Sequence, residues 1–310
     1  MTTTALQEAT VEQVTRPLIR YYGGKWMQRH WLCPLLESIP HTTYCAPFGG
    51  AAGDILGRST PAPVECWNDI DEHLANLFRV LRDRDQRAEF LRKLYWTPYG
   101  QAEVAEASRI LREADGRTQV QPATLAWAVY VRAWTSLMGT QRPGMTFGYV
   151  HHLDNTRSYA PDRFRTAKAS LPAIARRVEH LQLFCEDWRR FVARFEGTRN
   201  VLIYCDPPYP QETRRTNGDF RYDTSEALQH DLQEWALGSS VAIAVSSYPG
   251  EWMNGFAGAG WELVLHDVTI GAGVGTDGAS RQRTEVVALS PEATRRRDLA
   301  AAQQRLPFGT

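Results

Sequence analysis

The chain has 310 residues, 43% hydrophobic and 23% charged, with 35 Lys+Arg against 35 Asp+Glu, a composition that excludes a disordered or fibrous chain and suffices for one large domain or two smaller ones. No run approaches the roughly 20 apolar residues that span a bilayer, and Cys33, Cys45, Cys66, Cys185 and Cys205 form neither a C-x-x-C pair nor a set with spaced histidines, so we expect an intracellular protein without a disulfide framework or a metal. The zero net charge argues against a nucleic-acid partner, yet Trp127 to Phe195 holds eleven Lys+Arg against five Asp+Glu, which predicts one basic face on an otherwise acidic body.

Residues 1–16 are polar, lack an apolar signal core and read as a mobile N-terminal arm. In "RYYGGKW", Arg20 to Trp26, two glycines precede Lys25 and can present it to a site, although a lone G-G-K lacks the spacing of a phosphate loop. A strand over Thr43–Phe48 then runs into the small residues Gly49 to Gly53, where a ligand can approach the backbone and a helix can begin. The next strand, Pro63–Asn68, ends at Asp69, twenty residues beyond Gly49. That is where an acid binds the two ribose hydroxyls of a nucleoside cofactor; a glycine turn beside a surface acid is the plainer alternative.

From about Arg79 to Ala160 the strand–helix alternation stops. "LRDRDQRAEFLRKL", "GQAEVAEASRILREA" and "PATLAWAVYVRAWTSLM" read as helices, the last opened by Pro122, and Gly139 to Pro161 reads as a loop. His151-His152, within it, is too closely spaced to ligate one metal. Strands follow at Leu181–Cys185, Val201–Cys205, Val241–Ser246, Trp261–Ile270 and Thr284–Leu289. "GVGTDG", Gly273 to Gly278, matches G-x-G-x-x-G by letter, but a strand follows it, so no helix N-terminus is available for a phosphate. A basic helix or tail closes the chain.

The strand Val201–Cys205 ends in Asp206-Pro207-Pro208-Tyr209. Neither proline has an N–H, so the chain leaves the sheet there with a carboxylate and a ring held at its end. The amino group of an aromatic base is a poor nucleophile because its lone pair is delocalised into the ring. Two fixed acceptors for its hydrogens, the Asp206 carboxylate and the Pro207 carbonyl, favour the form that attacks, while Tyr209 can stack on a base rotated out of a duplex. The implied chemistry is transfer onto an amino group; the plainer alternative is a strand-ending Asx turn.

In this order "YYGGKW", "APFGG", "NDID", "WTPYGQAEVAEA", "DPPY", "FRYDTSEALQHDLQE" and "VAIAVSSYPGEW", between Pro17 and Ser290, resemble the Dam-type family of DNA adenine N6-methyltransferases of the alpha order. The resemblance implies an α/β fold, a Rossmann-like seven-stranded methyltransferase sheet whose last strand is antiparallel. Residues 17–78 and 181–290 would form the catalytic domain, 79–180 a helical target-recognition insert and 291–310 a C-terminal tail. It implies S-adenosylmethionine as cofactor, S-adenosylhomocysteine as product, and double-stranded DNA as partner of a bacterial or phage-encoded enzyme for which a monomer suffices. Tyr22, Lys25, Trp26, Phe48, Gly49, Gly50, Asp69, Asp187 and Asp206 would surround the cofactor, with Asp206, Pro207 and Tyr209 catalytic. Arg142, Arg157, Arg163, Arg165 and Lys168 cluster after the insert helices as candidate DNA contacts, and Arg281 and Arg283 form a second group. One departure stands out: the family's usual glutamate before Pro-Phe is Ala46 here. RNA or protein-glutamine methylation, and a DNA-binding relative without turnover, are the alternatives.

Overall fold

The computed structural model describes residues 14–21, 23–136, 147–148, 159–209, 226–270 and 281–305; residues 1–13 of the N-terminal arm, most of the 139–161 loop and "GVGTDG" lie outside them, while Val14, near the end of the expected arm, is buried in the main core. A 3-10 turn, Lys25–Gln28, leads into α1 (Arg29–Glu37), β1 (Thr43–Ala46), α2 (Gly53–Leu56), β2 (Val64–Asn68) and α3 (Glu72–Arg82). The insert holds α4 (Arg84–Tyr95), α5 (Gln101–Asp115), α6 (Pro122–Thr135) and α7 (Ala160–Val178). Then come β3 (Leu181–Phe184), α8 (Trp188–Ala193), β4 (Val201–Cys205), α9 (Glu226–Gly238), β5 (Ala242–Ser247), α10 (Glu251–Gly258), β6 (Glu262–Ile270), β7 (Arg281–Leu289) and α11 (Pro291–Arg305). None of the described helices is long and apolar enough to cross a membrane.

All seven strands join one sheet in the order β3-β2-β1-β4-β5-β7-β6. Pairing is parallel from β3 to β5 and antiparallel on both sides of β7, the Rossmann-like methyltransferase arrangement that the sequence predicts. The central strands are apolar along their length because helices cover both faces. Alternation then sends Tyr44, Leu202 and Tyr204 into one core, and Cys45, Ile203 and Cys205 into the other.

Several boundaries differ from the sequence expectation: β1 ends at Ala46 rather than Phe48, α6 at Thr135 rather than Met138, and α7 begins at Ala160, inside the expected loop. "LRDRDQRAEFLRKL" is broken at Asp83, whose carboxylate accepts from the N–H groups of Asp85 and Gln86 and so caps a new helix. Strand β7 begins at Arg281 rather than Thr284. It pairs with β6 over nine residues but with β5 only over Val286–Leu289, so a two-stranded ribbon of residues 266–270 and 281–285 continues past the end of β5.

The insert shares the main core: Leu74, Leu77, Phe78 and Leu81 of α3, a helix that runs through residue 79, are buried in one cluster with Tyr130 of α6 and Ile174 of α7. Part of the local basic excess is structural. Arg177 is buried against Glu65 and donates to the Ile55 carbonyl at 3.2 Å, and Arg132 donates to Ser108 Oγ at 2.9 Å. Arg189 pairs with Asp187 and Asp231, and Arg194 with Glu186.

Candidate active site

The strand order reverses between β1 and β4, and ligands of such sheets bind beyond the carboxyl ends of the strands at that point. The Gly49 loop follows β1, Asp69 follows β2, Asp187 follows β3, Asp206 follows β4 and Tyr248 follows β5. Their spacing in the chain is large, but parallel pairing brings all five to one edge.

Asp206 sits at the centre. Its Oδ1 lies 2.7 Å from the Lys25 ammonium and accepts from Ser246 Oγ at 2.9 Å; Ser246 accepts in turn from the Tyr204 hydroxyl at 2.9 Å. Both donors meet Oδ1, and no described donor is placed on Oδ2. Lys25 also donates to the Tyr209 hydroxyl at 2.6 Å, and that hydroxyl donates to Glu285 Oε2 at 2.8 Å. Glu285 Oε1 accepts from Gln28 at 2.8 Å. The Tyr209 ring meets Tyr248 edge-on, centroids 4.7 Å apart, and the Arg283 guanidinium lies 5.0 Å from the Tyr248 centroid.

The network sets the charges. Burial on its own would lower the Lys25 pKa, but the Asp206 and Glu285 carboxylates outweigh it and hold the ammonium above the ordinary lysine value. Burial, reinforced by the same two acids, pushes the Tyr209 hydroxyl well above the usual tyrosine range, so it stays a neutral donor. Ser246, Tyr248, Glu285 and Gln28 were not singled out from the sequence. The "SSY" that ends β5 was the available signal for the first two; nothing local marked the others.

On the β1–β2 side, the Gly50 N–H donates to Asp69 Oδ2 at 2.8 Å and the Asp71 N–H to Oδ1 at 2.9 Å. The Ile70 N–H also bonds this carboxylate, which keeps acceptor capacity for a hydroxyl donor. Burial raises the Asp69 pKa to about 6, and burial does the same for Asp54, which accepts from the Tyr44 hydroxyl at 2.7 Å. Asn68 fastens this edge, donating to the carbonyls of Pro47 and Glu186 and accepting from the Glu186 N–H. Asp187 beside it caps α8 through the Arg189 N–H at 2.8 Å. Phe48 packs on Trp188, and Trp26 is buried under Arg29.

The glycines have a packing reason that the sequence did not disclose. A Cβ on Gly49 would fall 2.2 Å from Trp67 Nε1, and one on Gly53 would fall 2.5 Å from the Trp26 backbone nitrogen. Gly50 adopts φ +47°, and its carbonyl accepts from Trp67 Nε1 at 3.2 Å. Gly49→Ala is therefore expected to cost about 1–3 kcal/mol through overpacking, read as a lower urea midpoint with an unchanged slope.

Tyr22, Arg142 and Arg157 lie outside the described residues, and of Arg281 only its register opposite Ile270 is described. Arg163 and Arg165 stand near the start of α7, Arg165 at 3.2 Å from Asp162. Lys168 turns inward instead, donating to the carbonyls of Leu94 and Thr97 at 3.3 and 3.0 Å.

A comparison with curated proteins found no match. The family model for the D12 class N6 adenine-specific DNA methyltransferase matches residues 21–242, from the lysine turn through the insert and the Asp206 loop into β5. With the seven-stranded sheet and the joining of both motif ends at one edge, that match over most of the chain places this protein in the D12 class of N6 adenine-specific DNA methyltransferases.

Proposed function

We propose that the chain methylates N6 of adenine in duplex DNA, acting on a base rotated out of the helix and without a covalent enzyme intermediate. The observation that carries this reading is the state of Asp206: Lys25 and Ser246 orient it through Oδ1, which leaves Oδ2 for an amino hydrogen. The Pro207 carbonyl would take the second hydrogen. Attack by a neutral amine places positive charge on nitrogen, a site with the Asp206 and Glu285 carboxylates around one ammonium favours that charge, and the surplus amino hydrogen would then leave as a proton through the Asp206 carboxylate to solvent.

S-adenosylmethionine, when bound, would supply an electrophilic methyl group. Asp69 would hold its ribose, Asp187 would stand near its adenine, and Phe48, Gly49, Gly50, Lys25, Trp26 and Tyr22 would line the remainder. If the ionised Asp69 is the binding form, cofactor affinity should weaken about tenfold between pH 7 and pH 5, because this acid takes up its proton as pH falls through about 6. The same limb should persist in Asp54→Asn, the other acid that titrates there. Isothermal titration across this range checks both; a flat profile removes Asp69 from the ribose.

Residues 17–78 and 181–290 would do the chemistry, and 79–180 would read the target. Arg163, Arg165 and Arg283 are the described side chains we assign to DNA, with Arg142, Arg157 and Arg281 assigned by position. Lys168 would act at one remove, holding the end of α4. A single copy suffices on a duplex. The test is transfer of labelled methyl to mixed-sequence duplex DNA with nucleoside analysis. N6-methyladenine is the expected product; N4-methylcytosine overturns the base assignment, and absence of label at saturating cofactor with DNA bound overturns catalysis.

A further inference from the structure

We propose that Glu285 is a positioning residue, which fixes the Tyr209 ring through its hydroxyl and ties it to the lysine turn through Gln28. The proposal rests on the functional reading above and adds to it a residue from the far end of the chain.

Glu285 lies on β7 in register with His266, in the ribbon that continues past β5, and is 3% exposed. A carboxylate taken out of water is costly unless its oxygens are bonded and a counter-charge is near. Both oxygens are bonded here, Oε2 by Tyr209 and Oε1 by Gln28. The counter-charge is the Lys25 ammonium, which reaches the same Tyr209 hydroxyl. That hydroxyl accepts from Lys25 and has Glu285 Oε2 at 2.8 Å as its near acceptor, with Ser246 Oγ farther away at 3.5 Å, so its direction is set from both sides. A tyrosine directly after a pair of prolines would otherwise keep its own side-chain torsions free. With Tyr248 against its edge, the ring has one orientation. Its neighbours Val286 to Leu289 are buried and apolar, and an apolar residue at 285 would be the simpler filling if stability alone were served.

The test begins in the free protein with fluorotyrosine incorporation, Tyr209→Phe identifying the resonance of Tyr209. Glu285→Gln keeps the volume but can accept from only one of its two partners; the Tyr209 resonance is expected to shift. In single turnover on DNA the same variant should be about tenfold slower, with half-saturating DNA and cofactor concentrations changed less than about twofold. The Glu285→Gln/Tyr209→Phe double variant should be no slower than the slower single variant. An unmoved resonance, a rate equal to wild type, or a double effect equal to the product of the singles each overturns the proposal. If the wild-type chain transfers no methyl at all, the functional reading fails, and the resonance alone decides whether Glu285 fixes the ring.

Discussion

Asp206→Ala is expected to slow methyl transfer by about 10³-fold, the scale on which removing one preorganised polar group at a reacting centre acts, while DNA affinity changes little. The substitution removes the proposed acceptor for the amino hydrogen and also strips Lys25 and Ser246 of their common partner. Among the described residues Lys25 would keep the Tyr209 hydroxyl and the Gly23 carbonyl as acceptors, and with its strongest electrostatic support gone its pKa should fall. Asp206→Asn separates the two effects. Its amide oxygen can still accept from Lys25 and Ser246, but the remaining position presents N–H groups to the amine. Equal losses in the two variants would place the effect in the missing acceptor; a mild loss in Asn alone would place it in the Lys25 network. Retention of rate within about tenfold in Asp206→Ala would remove this residue from the chemistry.

The Asp206 turn was legible because strand, acid and prolines are contiguous, and each has a local physical meaning. Asp69 was legible from its distance to Gly49. Their partners were not: Lys25 meets Tyr209 across 184 positions and Tyr209 meets Glu285 across 76. In "RTEVVAL" an acid looks like the solvent-facing position of an edge strand, yet the ribbon turns it inward onto Gln28 and Tyr209. Gly49 and Gly53 were identified as places of close approach, but what approaches is Trp67 and the lysine turn. The basic excess from Trp127 to Phe195 suggests a face, and the fold buries part of it, Arg177 against Glu65 and Arg132 beside Ser108, while Arg189 and Arg194 make exposed ion pairs. Composition counts charges; only the tertiary structure assigns their partners.

The largest loss of stability is expected at the opposite end of β2. Glu65 is buried between Arg177 of α7 and Arg58, whose Nε lies 3.9 Å away. Glu65→Ala leaves two buried guanidinium groups without their acid and should cost about 3–5 kcal/mol, visible as a lower urea midpoint. Replacing Glu65 and Arg177 together by Leu and Met should cost less than Glu65→Ala alone, because no charge of that pair is then stranded. The opposite ranking would mean that the pair stabilises the fold beyond the desolvation it carries. The consequence reaches the proposed DNA side, since α7 bears Arg163 and Arg165, the assigned contacts, at one end and Arg177 at the other. The double variant, still folded, should bind cofactor as the wild type does but DNA more weakly, because an apolar contact in place of the ion pair leaves the helix freer to shift along its axis. A packed apolar core would hold α7 against the sheet equally well; a directional pair with Glu65, backed by the bond from Arg177 to the Ile55 carbonyl, also fixes where along the sheet it stops.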